Sequence, residues 1–446
     1  MIPLTAPGIV IAAPSSGCGK TVFTLGLLRA LRRRGLPVAP AKVGPDYIDP
    51  AFHAAASGHP CHNLDLWAMR PDRFAGTVAA LGAGPGLVVC EGVMGLFDGA
   101  NTGGREPSGS TADVAARTGW PVILLVDLRR QAGSAAALIN GFRRHREDVR
   151  VAGVVFNQVA GAGHRDMVEQ ACRVHCPDLP LLGWIGRSEA LALPERHLGL
   201  VQAGETDALD DRLNRVADLL ESEVDIDALI RLARPSALTG PSLPALPPLG
   251  SHIAVARDDA FAFAYAGLLE GWRAGGAALS FFSPLADEAP APGADAVYLP
   301  GGYPELHAGR LAANVRFLKG VRAMAGNGRW IYGECGGYMT LGRTLVDQDG
   351  TGHSLLGLLP VVTSFQTRRL HLGYREVRQR ADTPFGPAGA VLRGHEFHYA
   401  SVTGQEGAPL FQAADARGRD AGTAGQIAGT VFGSFFHVID RGAGAF

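Results

Sequence analysis

Five strand-like runs recur through the first half of the chain: Ile9–Ala13, Val38–Val43, Leu87–Cys90, Val122–Val126 and Val151–Asn157. Segments of helical patterning separate them. Short, mostly apolar runs without polar alternation suit strands covered on both faces, and strand–helix alternation implies a parallel sheet flanked by helices. The stretch from Arg234 to Gly250, RPSALTGPSLPALPPLG, then carries five prolines and no apolar period. It reads as a semi-rigid linker. A second strand–helix series follows through HIAVARD, DAVYLPGGYPE, RWIYGECGGYMTLG and GTVFGSFFHVID. The expected organisation is α/β throughout, with a first domain over residues 1–233, a linker over 234–250 and a second domain over 251–446.

Between the first run and its helix lies APSSGCGKT. Its Gly-Lys-Thr ending matches the phosphate-binding pattern G-x-x-x-x-G-K-[ST], although Pro14 occupies the place of the first glycine. A loop that ends at a helix N-terminus aims unpaired amides and the positive end of the helix dipole at an anion. Ser16, Gly17 and Gly19 would wrap the phosphates, Lys20 would reach the outer ones, and the Thr21 hydroxyl would hold Mg²⁺. Arginine dominates the 41 basic residues, and the only lysines are Lys20, Lys42 and Lys319. Two of the three therefore stand in or beside candidate phosphate chemistry, where a compact ammonium is hard to replace.

Other first-half candidates also follow strand ends, where ligands of open α/β sheets collect. Glu91, in CEGVMGLFDG, can hold the metal beside Thr21. Asp46 and Asp49, in KVGPDYIDP, can bind metal or position substrate, and Asn157 offers an amide suited to an adenine edge. His53, His59, Cys61 and His62 crowd together, but no second ligand group with zinc-like spacing follows, so they read better as residues lining a substrate cleft.

In the second half, IYGECGGYM leads from an apolar run into a helical segment, copying the G-x-nucleophile-x-G elbow with Cys335 as nucleophile. A thiol at a helix N-terminus is expected to have a lowered pKa. His437, in GSFFHVID, fits as its base, with His395 and His398 of GHEFHYA as competitors. Gly301 and Gly302, together with the Gly336 amide, can offer N–H groups to a developing oxyanion.

With 41 basic and 42 acidic residues and no basic tract interleaved with aromatics, nucleic acid is not an expected partner. RALRRRG closes the first helix and reads as a solvated helix end. No run reaches about 18 apolar residues and the N-terminus lacks a signal-like pattern, so a cytoplasmic protein without membrane association is expected. Six cysteines with no CxxC give no disulfide framework.

APSSGCGKT, KVGPDYIDP, CEGVMGLFDG, LPERHLGL, LPGGYPE, GECGGYM, GHEFHY and the late His437 together resemble, in this order, the cobyrinic acid a,c-diamide synthases. That family includes the hydrogenobyrinic acid a,c-diamide synthases of the aerobic cobalamin pathway. The resemblance spans nearly the whole chain and accounts for Pro14 as a loop variant of the family. It implies a dethiobiotin-synthetase-like ATP domain followed by a class I glutamine amidotransferase domain of flavodoxin-like type. It also implies Cys335 as nucleophile, His437 as base, Lys20 and Thr21 on ATP–Mg²⁺, Glu91 on the metal with Asp46, Asn157 near adenine, and Lys42, Asp46 and Tyr47 toward the corrinoid macrocycle. The substrates would be that macrocycle and glutamine, joined by a protected passage for ammonia. Oligomeric state is left open, a homodimer included, as are cobalt content and the order of amidation. Cobyric acid synthase, favoured less by LPERHLGL and the short linker, and a nucleotide-driven switch with an inactive glutaminase domain are the alternatives. In amidotransferases with a Cys-His-Glu triad the acid lies two residues after the histidine. That place is Ile439 here, and Asp440 would face the other side of a strand. A Cys335–His437 dyad, its imidazole oriented by some other group, is the expectation.

Overall fold

The computed structural model describes residues 6–84, 86–104, 107–188, 195–196, 199–200 and 209–442. Two compact units emerge. One runs to Leu243, and the other begins at Pro244 and also takes in Ala68–Arg70 and a short stretch from Asn101.

The first unit contains β1 (Pro7–Ala12), α1 (Lys20–Arg33), β2 (Val38–Val43), α2 (Asp49–Ser57), β3 (His62–Leu64), α3 (Pro71–Leu81), β4 (Leu87–Glu91), α4 (Thr111–Thr118) and β5 (Val122–Asp127). It continues with α5 (Ser134–Arg144), β6 (Val151–Val159), α6 (Ala162–His175), β7 (Leu181–Gly186), the paired β8 (Glu195–Arg196) and β9 (Gly199–Leu200), α7 (Leu209–Glu223), α8 (Ile226–Leu232) and β10 (Arg234–Pro235). Seven strands form a parallel sheet in the order β3-β2-β4-β1-β5-β6-β7, and β10 pairs antiparallel with β1. Central strands such as β4 are buried along their whole length, which is why they read as continuous apolar runs. Half of LPERHLGL, positions 193–194 and 197–198, falls outside the described residues.

Register brings the carboxyl ends of these strands together. Ile11 of β1 stands beside Glu91 of β4, and Glu91 beside Lys42 of β2. The turn into α1 needs left-handed backbone at Gly17 and Gly19, with φ of 76° and 91°. Only glycine adopts that conformation without strain. The basic end of α1 is more than solvated: Arg29, Arg33 and Arg34 pair with Asp210, Asp218 and Asp227 at 2.5, 2.6 and 3.0 Å. Exposed pairs of this kind contribute about 0–1 kcal/mol each, so the buried leucines of α1 carry most of its docking.

The second unit begins with β11 (His252–Ala256), α9 (Ala266–Ala274), β12 (Ala278–Phe282), β13 (Ala296–Leu299), α10 (Ala308–Ala313), α11 (Val315–Gly326), β14 (Trp330–Glu334) and α12 (Gly336–Leu341). It ends in strands: β15 (Thr344–Val346), β16 (Gly352–Ser354), β17 (Val361–Ser364), β18 (His371–Gln379), β19 (Val391–His398), β20 (Ser401–Gln405), β21 (Ala408–Asp415), β22 (Asp420–Ala428), β23 (Val431–Ser434) and β24 (Phe436–Arg441). The main sheet runs β12-β11-β13-β14-β23-β22-β21-β18-β19-β24. Its first five strands are parallel and the rest antiparallel, while β16-β15-β17-β20 form a separate mixed sheet. The flavodoxin-like half is thus prolonged by a strand-rich extension that the sequence reading did not anticipate.

The proline-rich stretch is packed rather than free. A Cβ on Gly76 of α3 would meet Pro241 O at 1.9 Å, whereas Trp272 Nε1 donates to Pro247 O at 3.0 Å and Ala245, Leu246 and Leu249 are buried. In the second unit, α12 presses equally hard on β13, for a Cβ at Gly337 would lie 1.8 Å from Leu299 O. That contact is with backbone and cannot swing aside. Gly337→Ala is expected to cost at least about 3 kcal/mol through overpacking. A thermal unfolding scan showing an unchanged midpoint would contradict this packing.

Candidate active sites

A cleft of about 680 Å³ at the strand ends of the first unit is lined by Ser16, Gly17, Gly19, Lys20, Thr21, Lys42, Asp46, Asp49, Glu91, Arg129 and Asn157. Most of the candidates from this half therefore converge. Tyr47 is buried and lies outside the lining.

Glu91 organises this cleft. It is fully buried, its Oε1 accepts from Thr21 Oγ1 at 2.7 Å and Lys42 Nζ at 3.3 Å, and its Oε2 meets His53 Nε2 at 2.6 Å. Burial alone would raise its pKa, but Lys42 and His53 hold the carboxyl below the usual range. Lys42 also lies 3.1 Å from Asp49 Oδ2, and the surrounding carboxylates outweigh burial to keep it protonated. Its ammonium balances charge at the floor of the cleft, which it also lines. His53 was read as a cleft residue. With Nε2–H donated to Glu91, its Nδ1 can accept from Cys61 Sγ at 3.5 Å, so it is a brace for the acid.

The two aspartates separate in role. Asp46 Oδ1 accepts from the Ile48 and Asp49 amides at 2.8 and 3.1 Å, shaping the turn into α2. Asp49 Oδ2 instead receives Thr21 Oγ1 at 3.4 Å. Oxygen groups suited to a divalent cation gather here from Thr21, Glu91, Asp49 and Asp46, all of which line the cleft.

Asn157 lines the cleft and ties the phosphate loop to β6. Its Nδ2 donates to Cys18 O at 2.9 Å and its Oδ1 accepts from Gln158 N–H at 2.9 Å. A primary amide carries two N–H donors and two oxygen lone pairs, so these bonds use only one of each. Lys20 donates to Ser15 O at 3.2 Å, and burial, then Lys42, lowers its pKa. Arg129, which sequence reading passed over, donates to Gly17 O at 3.2 Å and pairs with Asp127 at the end of β5. Strand-end position was the available signal.

In the second unit Cys335 sits between β14 and α12 with φ 46° and ψ −104°. A non-glycine residue held there is strained, as the nucleophile elbow requires. The thiol is 5% exposed and its sulfur lies 4.0 Å from Phe397 O. Contrary to expectation its pKa is raised: burial is the largest cause, Glu305 adds to it, and the Gly336 N–H pulls the other way without prevailing. A six-residue helix supplies too little dipole to offset desolvation.

Gly302 and Gly336 adjoin, since a Cβ on Gly336 would meet Gly302 N and O at 3.0 Å. Gly301 abuts His437, where a Cβ would lie 2.5 Å from Cε1 and 3.2 Å from Nε2. The three glycines expected at the oxyanion position and the expected base thus share one region. His437 is fully buried and pushed down to about 3, by burial first and then by His395 and His398. Of the rival histidines, His395 is the register partner of His437 across β19 and β24. His398 stacks on Phe435 with centroids 3.8 Å apart, and its Nδ1 meets Ala400 O at 3.0 Å.

Near Ile439 a register shift interrupts the ladder between β19 and β24, so simple alternation does not govern Asp440. Asp440 is fully buried and accepts from Arg70 N at 2.8 Å and Arg70 Nε at 3.1 Å. The acid facing the imidazole is Glu334, whose Oε2 lies 3.7 Å from His437 Nδ1. Sequence reading missed it because it precedes the nucleophile instead of following the base.

A phosphate loop on a parallel sheet and a cysteine elbow in a second α/β unit define a class: nucleotide-binding ligases that carry a glutamine amidotransferase domain. Residues 9–201 match the CobQ/CobB/MinD/ParA nucleotide binding domain family, and residues 252–443 match the CobB/CobQ-like glutamine amidotransferase domain family. The chain is 53% identical over 437 residues to the hydrogenobyrinate a,c-diamide synthase of Brucella anthropi, covering 97% of this chain and 98% of that one. It is 52% identical over 435 residues to the enzyme of the same name from Rhizobium meliloti, covering 97% and 99%. The corresponding figures for Rhodobacter capsulatus are 51% over 433 residues, 97% and 98%. The chain belongs to the hydrogenobyrinate a,c-diamide synthase family.

Because burial lifts the Cys335 thiol above its ordinary value of 9.0, its thiolate fraction in the substrate-free protein should still be rising at pH 9. Iodoacetamide labelling of the Cys335 peptide, followed by mass spectrometry, should accelerate steadily from pH 7 to pH 9. A rate plateau below pH 8 would show a thiolate already formed.

Proposed function

We propose that this chain uses ATP, Mg²⁺ and glutamine to amidate the a and c acetate carboxylates of hydrogenobyrinic acid or its cobalt-containing counterpart. The observation that carries this reading is identity above 50% to hydrogenobyrinate a,c-diamide synthases across nearly the full length of both proteins. ATP and glutamine are cytoplasmic metabolites, so the reaction belongs in the cytoplasm.

A carboxylate is a poor electrophile, so its oxygen must first take the γ-phosphoryl group of ATP to give an acyl phosphate and ADP. In the cleft the loop amides and Lys20 hold the phosphates, and Arg129 stands beside the loop to neutralise charge. Thr21, Glu91 and Asp49 would hold the metal, which when bound screens the phosphate oxygens and polarises the transferring group. Lys42 and His53 keep Glu91 ionised for that task.

At the second site Sγ attacks the glutamine amide carbon while its proton passes to His437, and the carbonyl oxygen turns toward the Gly302 and Gly336 amides. The C–N bond breaks as His437 returns the proton to the departing nitrogen, and water then releases glutamate from the thioester. Burial raises the thiol and lowers the imidazole, so little thiolate exists in the resting protein. Ammonia attacks the acyl phosphate and expels phosphate. Since ammonia is mostly protonated in bulk water, a protected passage belongs to this reading. The acyl-accepting step then occurs twice, once per acetate side chain.

Cys335→Ser should lower glutamine-dependent amidation by at least about 10³-fold, as expected for loss of a covalent nucleophile, while synthesis continues with concentrated ammonium. Loss with both nitrogen sources would count against the division of labour. Lys20→Ala should lose amidation with either source by on the order of 10²-fold or more through lost phosphate stabilisation. Mass spectrometry of the macrocycle, counting the amides added, reads both experiments, and survival of ammonium-driven synthesis in the lysine variant would refute the phosphate-site assignment.

A further inference from the structure

Glu334 ends β14 with its carboxylate completely enclosed, a placement that costs several kcal/mol unless partners compensate. Three donors converge on it: Tyr298 OH on Oε2 at 2.7 Å, Tyr332 OH on Oε1 at 2.5 Å, and the Val438 amide on Oε1 at 3.0 Å. The Val438 amide belongs to the residue after His437, so the same carboxylate grips the backbone of β24 and faces the imidazole of its neighbour. Oε2 points at His437 Nδ1 from 3.7 Å, within ion-pair reach but longer than a hydrogen bond. The two tyrosine rings are stacked at 5.5 Å, and Trp272 and Phe432 pack on them, so the donors are rigidly held. A fully buried acid with this many fixed partners is more than core filling requires.

We propose that Glu334 is the positioning residue for His437: its carboxylate selects the tautomer with hydrogen on Nδ1, makes Nε2 the unprotonated nitrogen that takes the Cys335 proton, and closes on the imidazolium that results. The inference rests on the glutaminase reading given above. It supplies a third group where the residue two positions after the histidine, Ile439, has no acid to offer. Other charged and titratable groups also act on His437. From β19 come His395 and His398, which disfavour its protonation, and Glu396, which favours it. From β14 comes Glu334, the acid 3.7 Å from Nδ1. Glu334 is raised to about 7: burial lifts it, and the donated hydrogen bonds of Tyr332 and Tyr298, then of the Val438 amide, offset only part of that rise.

Glu334→Gln keeps the shape but turns an acceptor into a possible donor toward Nδ1, which favours the opposite tautomer. The expected result is a fall of about 10²-fold or more in glutaminase kcat, with KM for glutamine changed less than about threefold, as for loss of the acid that orients a catalytic histidine. Glu334→Asp, which retains the charge, should recover at least about tenfold of that loss in kcat. A purely structural role would lower the unfolding temperature and leave kcat per folded molecule unchanged in both variants, which would overturn the proposal. Should either variant fail to fold, ¹⁵N spectra of histidine-labelled wild-type protein decide the matter alone. His437, assigned by comparison with His437→Gln, should carry its proton on Nδ1, and an Nε2–H signal would overturn the proposal. A wild-type protein without glutaminase activity would instead refute the underlying reading, so the two failures are distinct.

Discussion

Removing a carboxylate from water is the interaction on which both sites depend. Glu91 and Glu334 are each completely buried, and each stands at the carboxyl end of a parallel strand. Their partners differ in charge, and so does the outcome. Glu91 is met by Lys42 and His53 together with the Thr21 hydroxyl, and it is held below the ordinary carboxylate range. Glu334 is met only by neutral donors and rises to about 7. One fold feature thus yields a permanently anionic group beside the phosphate loop and a carboxyl near its own pKa beside the histidine.

The five runs recognised in the first half coincide with β1, β2, β4, β5 and β6 to within a residue or two at each end, because these strands are covered on both faces and carry few polar interruptions. β3 escaped notice, being three residues long. The antiparallel strands of the second half escaped for a different reason. β22, with the sequence DAGTAGQIA, is exposed over much of its length and owes its place to ladder hydrogen bonds with β21 and β23 instead of to any apolar pattern. Backbone pairing leaves little mark in composition.

The candidate sites show the same division. The loop ending in Lys20 and Thr21, and the elbow around Cys335, were legible because their chemistry lies in contiguous residues. Partnerships across the sheet were not. His53 read as a residue lining the substrate cleft until its bond to Glu91 was in view, and the tie of Asn157 to the phosphate loop left no mark in the sequence. The lowered thiol pKa expected from helix position gave way because a short helix cannot offset full desolvation. Asp440 was judged by strand alternation, which the register shift at Ile439 suspends.

The proposed nucleophile and its proposed base come from distant places in the strand order. Cys335 follows β14, within the parallel half, whereas His437 lies on β24, the last strand of the antiparallel extension. A chain cut back before Phe436 would keep the sulfur and lose the imidazole that abuts Gly301.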